Sequence, residues 1–132
     1  MKKFGLSQQE RIKSEKDFKL IYSSGKILIS DDQKLKAHYF VVHGQSQPLV
    51  KIAPAVSRKA GHAVWRNRLK RLIRESYRLN KYVLTEDCMR KECSLLIVFS
   101  PYSVNMKKKK DVALTDIMPA VLSIMQKIVR AL

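Results

Sequence analysis

Acidic residues are scarce in this sequence: 11 Asp plus Glu stand against 27 Lys plus Arg, a formal net charge of +16 over 132 residues. Such an excess repels itself in a folded chain, so it implies a polyanion that neutralises it. Nucleic acid is the leading partner class and an anionic membrane surface the runner-up. Cysteine is nearly absent as well. Cys88 and Cys93 have no second pair to complete a zinc site and read as reduced free thiols. No stretch approaches the roughly 18 consecutive apolar residues of a membrane helix. Met1 to Arg11 carries charge without an apolar run, which argues against a secretory signal peptide. The chain therefore reads as a soluble, cytoplasmic, single domain spanning 1–132, with no repeats and no linker. Catalytic motifs are missing too. There is no nucleophile elbow, no phosphate-binding glycine loop and no acid/base pair on one face. His38, His43 and His62 do not recur at ligand spacing, so no metal set is expected.

What is present is enough apolar residue, 45%, for a modest core. Ser14-Glu15-Lys16-Asp17 has the form of a capping box with Asp in place of Glu. Phe18, Leu20, Ile21 and Tyr22 follow and Gly25 closes the segment, giving a helix of about two to three turns. Phe18 and Tyr22, four apart, project from one face. Ile27 to Ile29 predicts a short strand before the turn at Ser30-Asp31-Asp32, and Ala37 to Val42 a longer one. Strand alternation puts Tyr39, Val41 and His43 on one face and Phe40 and Val42 on the other. Leu49 to Val56 predicts a third strand, with a bulge or break at Pro54 because proline donates no ladder hydrogen bond. Leu95-Leu96-Ile97-Val98-Phe99 is an unbroken apolar run, as in a strand buried on both faces. After the basic run Lys107 to Lys110, a last helix carries Ile117, Val121, Ile124, Met125 and Ile128 as its apolar stripe. Pro119 is tolerated in a first turn but breaks a helix interior, so the helix is predicted to start near Thr115, or to start earlier and kink. The order α-β-β-β-α-β-α makes an α+β sandwich, a sheet covered by helices.

The densest signal lies between the third and fourth strands. From Val56 to Glu75 there are seven cations, Arg58, Lys59, Arg66, Arg68, Lys70, Arg71 and Arg74, and Glu75 is the only acid. A merely solvated helix mixes both signs. On the helix predicted at Ala63 to Leu79, Trp65, Leu69, Leu72, Ile73 and Ser76 form one arc. Asn67, Lys70, Arg71, Arg74 and Arg78 form the opposite arc, with Arg66 and Arg68 at the borders. Arginine dominates, which favours fork-like contacts to phosphate. Trp65, on the apolar arc, reads as packed against the sheet rather than as a stacking platform.

The stretch Val56–Glu75, with the triplet Arg66-Asn67-Arg68 followed by an apolar residue and two basic ones, resembles the signature of the bacterial ribonuclease P protein family. The Asp17-Phe18 pair with an aromatic four residues on is similar to that family's first helix. Pro54 departs from it. The resemblance implies a mixed sheet with a left-handed crossover between parallel strands, and a partner, ribonuclease P RNA, that removes the 5′ leader of precursor tRNA with magnesium. The protein itself would bind no cofactor and supply no catalytic residue, Mg2+ entering through the RNA. Membrane and DNA partners are not expected. Carried onto this chain, the resemblance assigns Arg58, Lys59, Arg66, Asn67, Arg68, Lys70, Arg71 and Arg74 to the catalytic RNA. It assigns Phe18, Tyr22, Val41 and His43 to a leader cleft, with Tyr39 added by strand parity and Arg11 as a further basic contact. Ordinary core packing is the competing reading for Phe18 and Tyr22. A ribosomal or other structural RNA-binding protein is the alternative for the whole chain. A helix-turn-helix DNA binder would need two helices joined by a tight turn, whereas the basic helix here follows a strand.

Overall fold

The computed structural model describes residues 6–132; the reading of Met1 to Arg11 as free of an apolar leader falls partly on residues outside that range. Four helices and four strands run in the order α1 (Glu15–Ser24), β1 (Lys26–Ile29), β2 (Leu35–His43), β3 (Val50–Pro54), α2 (Ala63–Asn80), α3 (Tyr82–Lys91), β4 (Cys93–Pro101) and α4 (Leu114–Ala131). The α+β order read from the sequence holds, with α3 added. Its apolar pair Leu84 and Cys88 is buried. It ends on Glu92, in left-handed conformation (φ 51°, ψ 47°), so no glycine marks the stop.

The sheet order is β1-β2-β4-β3. β2 is antiparallel to both β1 and β4, and β3 is parallel to β4 through the crossover of α2 and α3. Central β4 is buried on both faces, as its unbroken apolar run requires. Leu95, Ile97 and Phe99 join a large core with α2 and α4. Leu96 and Val98 join a smaller one with Ile12, Ile21 and Ala53. On α2 the buried set Trp65, Leu69, Ile73 and Tyr77 repeats every four residues, and each such side chain contributes about 1.5–3 kcal/mol on burial.

The structure decides three local expectations. Pro54 is where the third strand breaks, with no bulge. It is the last residue of β3, an edge strand, where a missing N–H costs no ladder partner; Ala55 N–H then donates to the Phe99 carbonyl at 2.8 Å. Ser14 is the N-cap of α1, but its side chain makes no capping bond. The last helix begins at Leu114, next to the expected start at Thr115, where Asp116 accepts a hydrogen bond from Ala113 N–H at 2.8 Å. Pro119 therefore lies inside the helix rather than in its first turn.

Gly25 ends α1 for a reason of space. A Cβ there would sit 2.3 Å from the Ile21 carbonyl oxygen and 2.8 Å from that of Tyr39, so only glycine lets the chain pass from α1 into β1. Cys88 and Cys93 are free and buried. Burial and the neighbouring Cys93 push the Cys88 thiol up to about 12, which keeps it protonated and inert.

Candidate nucleic-acid interface

Two surfaces meet on this sheet. The first is the outer face of α2 with the short turn Arg58–Ala60 that precedes it. Arg58, Lys59, Asn67, Arg68 and Arg71 are exposed, while Arg66, Lys70 and Arg74 are half-buried. Among the described residues none of the seven cations from 58 to 74 has a carboxylate partner. Glu75, the one acid of the helix, is taken by Arg78, whose Nε donates to it at 3.0 Å. That contact holds the Glu75 carboxyl below its ordinary range and leaves the other cations uncompensated. Two of the arginines are anchored. Arg66 Nε donates to the Gly61 carbonyl at 3.1 Å and Arg68 Nε to the Val112 carbonyl at 2.7 Å. The anchored nitrogen is Nε in each case, so the two Nη groups are fixed in direction, a geometry suited to forked contact with phosphate.

Arg74 and Arg11, which the family resemblance divides between two RNA contacts, are neighbours. Burial lowers the Arg74 guanidinium from its usual value and the Arg11 charge lowers it further. Arg11 reaches this place through a parallel bridge to Ile52 on the outer edge of β3, continued by Ile12 N–H to the Ile52 carbonyl at 3.0 Å.

The second surface is an open groove of about 530 Å³ beside α1, walled by Tyr22, Lys36, His38 and Lys70 and lined also by Ser57 and Pro101. Tyr22 stands edge-on to the His38 ring, centroids 4.9 Å apart at 65°, and is 50% exposed. Phe18 is half-buried and packs with Phe40 against the smaller core. His38 Nδ1 is buried without a hydrogen-bond partner among the described residues. Burial, helped by the Lys36 charge, holds its imidazole below the ordinary range, so the ring is neutral near pH 7.

The strand face assigned to this cleft from the sequence is corrected. The alternation of β2 is as predicted, but Tyr39 and Val41 point to the opposite face. Tyr39 is 3% exposed and both belong to the α2/α4 core. His43, at the exposed end of β2, lines a separate depression with Lys26, Ala131 and Leu132. The residues facing α1 are His38 and Phe40, with Lys36 at the groove's rim. Leu35, Ala37, Tyr39 and Val41 are the uniformly apolar set, and two long helices cover them. The amphipathic set, Lys36, His38 and Phe40, is what a single short helix leaves partly open. That difference in polarity was the available signal.

Trp65 is buried, as its place on the apolar arc predicts, and its indole N–H donates to the Lys109 carbonyl at 3.0 Å. Among the described residues no three His, Cys, Asp or Glu side chains gather as a metal site, and no helix is long and apolar enough to cross a membrane.

The molecule is thus a small α+β fold with one uncompensated cationic helix bordering a groove that carries an exposed tyrosine edge-on to a half-buried histidine ring. The family model for ribonuclease P matches residues 6–116. The ribonuclease P protein component of Syntrophus aciditrophicus is 38% identical over 82 residues, 61% of this chain and 64% of that protein. That of Dictyoglomus turgidum is 34% identical over 94 residues, 71% of each. The solved RNase P protein of Thermotoga maritima superposes with a TM-score of 0.70 over 89% of this chain and 96% of its own, at 26% identity. That of Staphylococcus aureus shares the fold, with a TM-score of 0.64 at 24% identity over 90% of this chain and 94% of its own. This chain belongs to the ribonuclease P protein family.

Proposed function

We propose that this protein is the RNA-binding subunit of a ribonuclease P ribonucleoprotein in the cytoplasm. The α2 face grips the catalytic RNA, and the groove beside α1 holds the unpaired 5′ leader of precursor tRNA. The observation that carries this reading is the contiguity of the two surfaces. Lys70 belongs to the cationic helix and also walls the groove with Tyr22 and His38. A strand leaving the RNA on α2 therefore runs straight onto aromatic rings, which stack bases of any identity. The groove so read is walled by Tyr22, Lys36, His38 and Lys70, with Phe18 and Phe40 packed beneath it on the smaller core and Arg11 and Arg74 as a phosphate contact nearby. Hydrolysis of the leader phosphodiester, and the magnesium it needs, are placed on the RNA partner; the protein positions both RNAs and screens their mutual repulsion.

The test is precursor-tRNA cleavage by a bacterial ribonuclease P RNA at low magnesium, with and without this protein. The reading predicts specific release of the 5′ leader with RNA and protein together and none with protein alone. No stimulation by the protein, or correct 5′ maturation by rigorously RNA-free protein, would overturn it.

A further inference from the structure

The four consecutive lysines at 107–110 lie on neither surface described above, yet the fold fastens them to α2. They sit in the loop between β4 and α4, and all four are exposed. The loop is ordered by its own bonds: Asn105 accepts from Lys108 N–H through Oδ1 and from Lys109 N–H through its carbonyl, both at 2.9 Å. It is then joined to α2 and to the turn before it by several bonds. Met106 N–H donates to the Ala60 carbonyl at 2.8 Å, Trp65 Nε1 to the Lys109 carbonyl at 3.0 Å and Arg68 Nε to the Val112 carbonyl at 2.7 Å. Gly61 lets the two segments close. A Cβ there would come within 2.7 Å of the Met106 Cβ and 2.8 Å of the Trp65 ring.

Trp65 and Arg68 bracket Arg66 and Asn67, so the lysine turn is held next to the triplet itself. Between turn and helix opens a cleft of about 500 Å³ with Arg58, Lys59 and His62 on one wall and Met106 and Lys107 on the other. Charge compensation is slight: Lys109 lies 3.8 Å from Asp116, and Lys107, Lys108 and Lys110 have no ion pair among the described residues. Fixing that many like charges in an ordered turn beside Arg58 and Lys59 raises the free energy of the folded state unless an anion occupies the cleft. Asp111, the acid that follows the run, makes no ion pair with it among the described residues.

We propose that the turn 107–110 is an additional phosphate-binding element, which with Arg58 and Lys59 grips the sugar-phosphate backbone of the RNA strand that continues past Arg66 and Arg68. The proposal rests on the assignment of α2 to RNA and extends that footprint by one loop. Lys107, Lys108 and Lys110 supply point charges to phosphate. Lys109 contributes chiefly its backbone carbonyl, which holds Trp65.

The test is the salt dependence of binding to a bacterial ribonuclease P RNA for the parent protein and for the triple variant Lys107→Gln, Lys108→Gln, Lys110→Gln. A companion triple variant carries arginine at the same positions. Three lost phosphate contacts should make the slope of log affinity against log salt shallower by about 2 and weaken binding roughly tenfold or more at moderate salt. The arginine variant should keep both slope and affinity. A steep parent with an equally steep glutamine variant would overturn the proposal while leaving the α2 reading intact, and would give the turn to a partner other than RNA. Loss of slope in the arginine variant as well would overturn it too, since conformation rather than charge would then be at work. A parent with a flat slope would remove the α2 reading and this extension together.

Discussion

Replacing Arg66 and Arg68 together by alanine should weaken assembly with a bacterial ribonuclease P RNA by roughly 100-fold or more, whatever leader the substrate carries. Each guanidinium is held at Nε by a backbone carbonyl, so its remaining donors are aimed before the RNA arrives and little side-chain entropy is lost on contact. A charge-assisted hydrogen bond to phosphate contributes about 1.5–3 kcal/mol, and about 1.4 kcal/mol is a factor of ten in affinity, so two such residues reach the stated loss without help from others. The lysine pair, Arg66→Lys with Arg68→Lys, should fall between parent and alanine variant, because it keeps the charge and loses the fork. Binding titrations with thermal melts check this. An alanine variant that folds and binds within twofold of the parent would refute the assignment of the triplet.

Tyr22→Ala should weaken precursor-tRNA binding by the assembled holoenzyme about 5- to 150-fold, equivalent to one stacking contact of about 1–3 kcal/mol, and leave mature tRNA almost unchanged. Tyr22 is half exposed and meets His38 edge-on. Its removal uncovers little core, so the effect belongs to the ligand and not to the fold. Val41→Ala supplies the contrast. Val41 packs against the α2/α4 core, so its truncation should lower stability while leaving the ratio of precursor to mature affinity where it was. Equal losses for both tRNAs with Tyr22→Ala would remove the groove from the leader, and unfolding of the variant, seen by circular dichroism, would show Tyr22 to be a packing residue.

The long-period features of this chain were legible because each carries a single dominant signal. The run Leu95 to Phe99 had to be buried on both faces, and the four-residue spacing of Trp65, Leu69 and Ile73 had to face the sheet. The cationic arc of α2 followed from the near absence of acid between Val56 and Glu75. What the sequence left undetermined was relational. Alternation separates Tyr39 and Val41 from His38 and Phe40, but which set meets α1 depends on how much area each helix can cover. The long helices α2 and α4 took the wholly apolar set. Similarly α3 was missed because its end at Glu92 carries no glycine. The anchoring of Arg66 and Arg68 by the carbonyls of Gly61 and Val112 involves backbone atoms, one of them 44 residues away, which no residue pattern discloses. The lysine turn was visible as composition, and its attachment to the triplet through Trp65 became visible only in three dimensions.

The central claim is that the cations of α2 and of the turn before it exist to meet RNA phosphates, and salt tests it most directly. The affinity of the unmodified protein for a bacterial ribonuclease P RNA should be titrated from low to moderate monovalent salt at constant magnesium. Seven cations without carboxylate partners, each releasing most of one counterion, predict a slope of log affinity against log salt of roughly −5 or steeper. A slope near zero would contradict the account, because tight binding without counterion release would have to come from a surface other than α2.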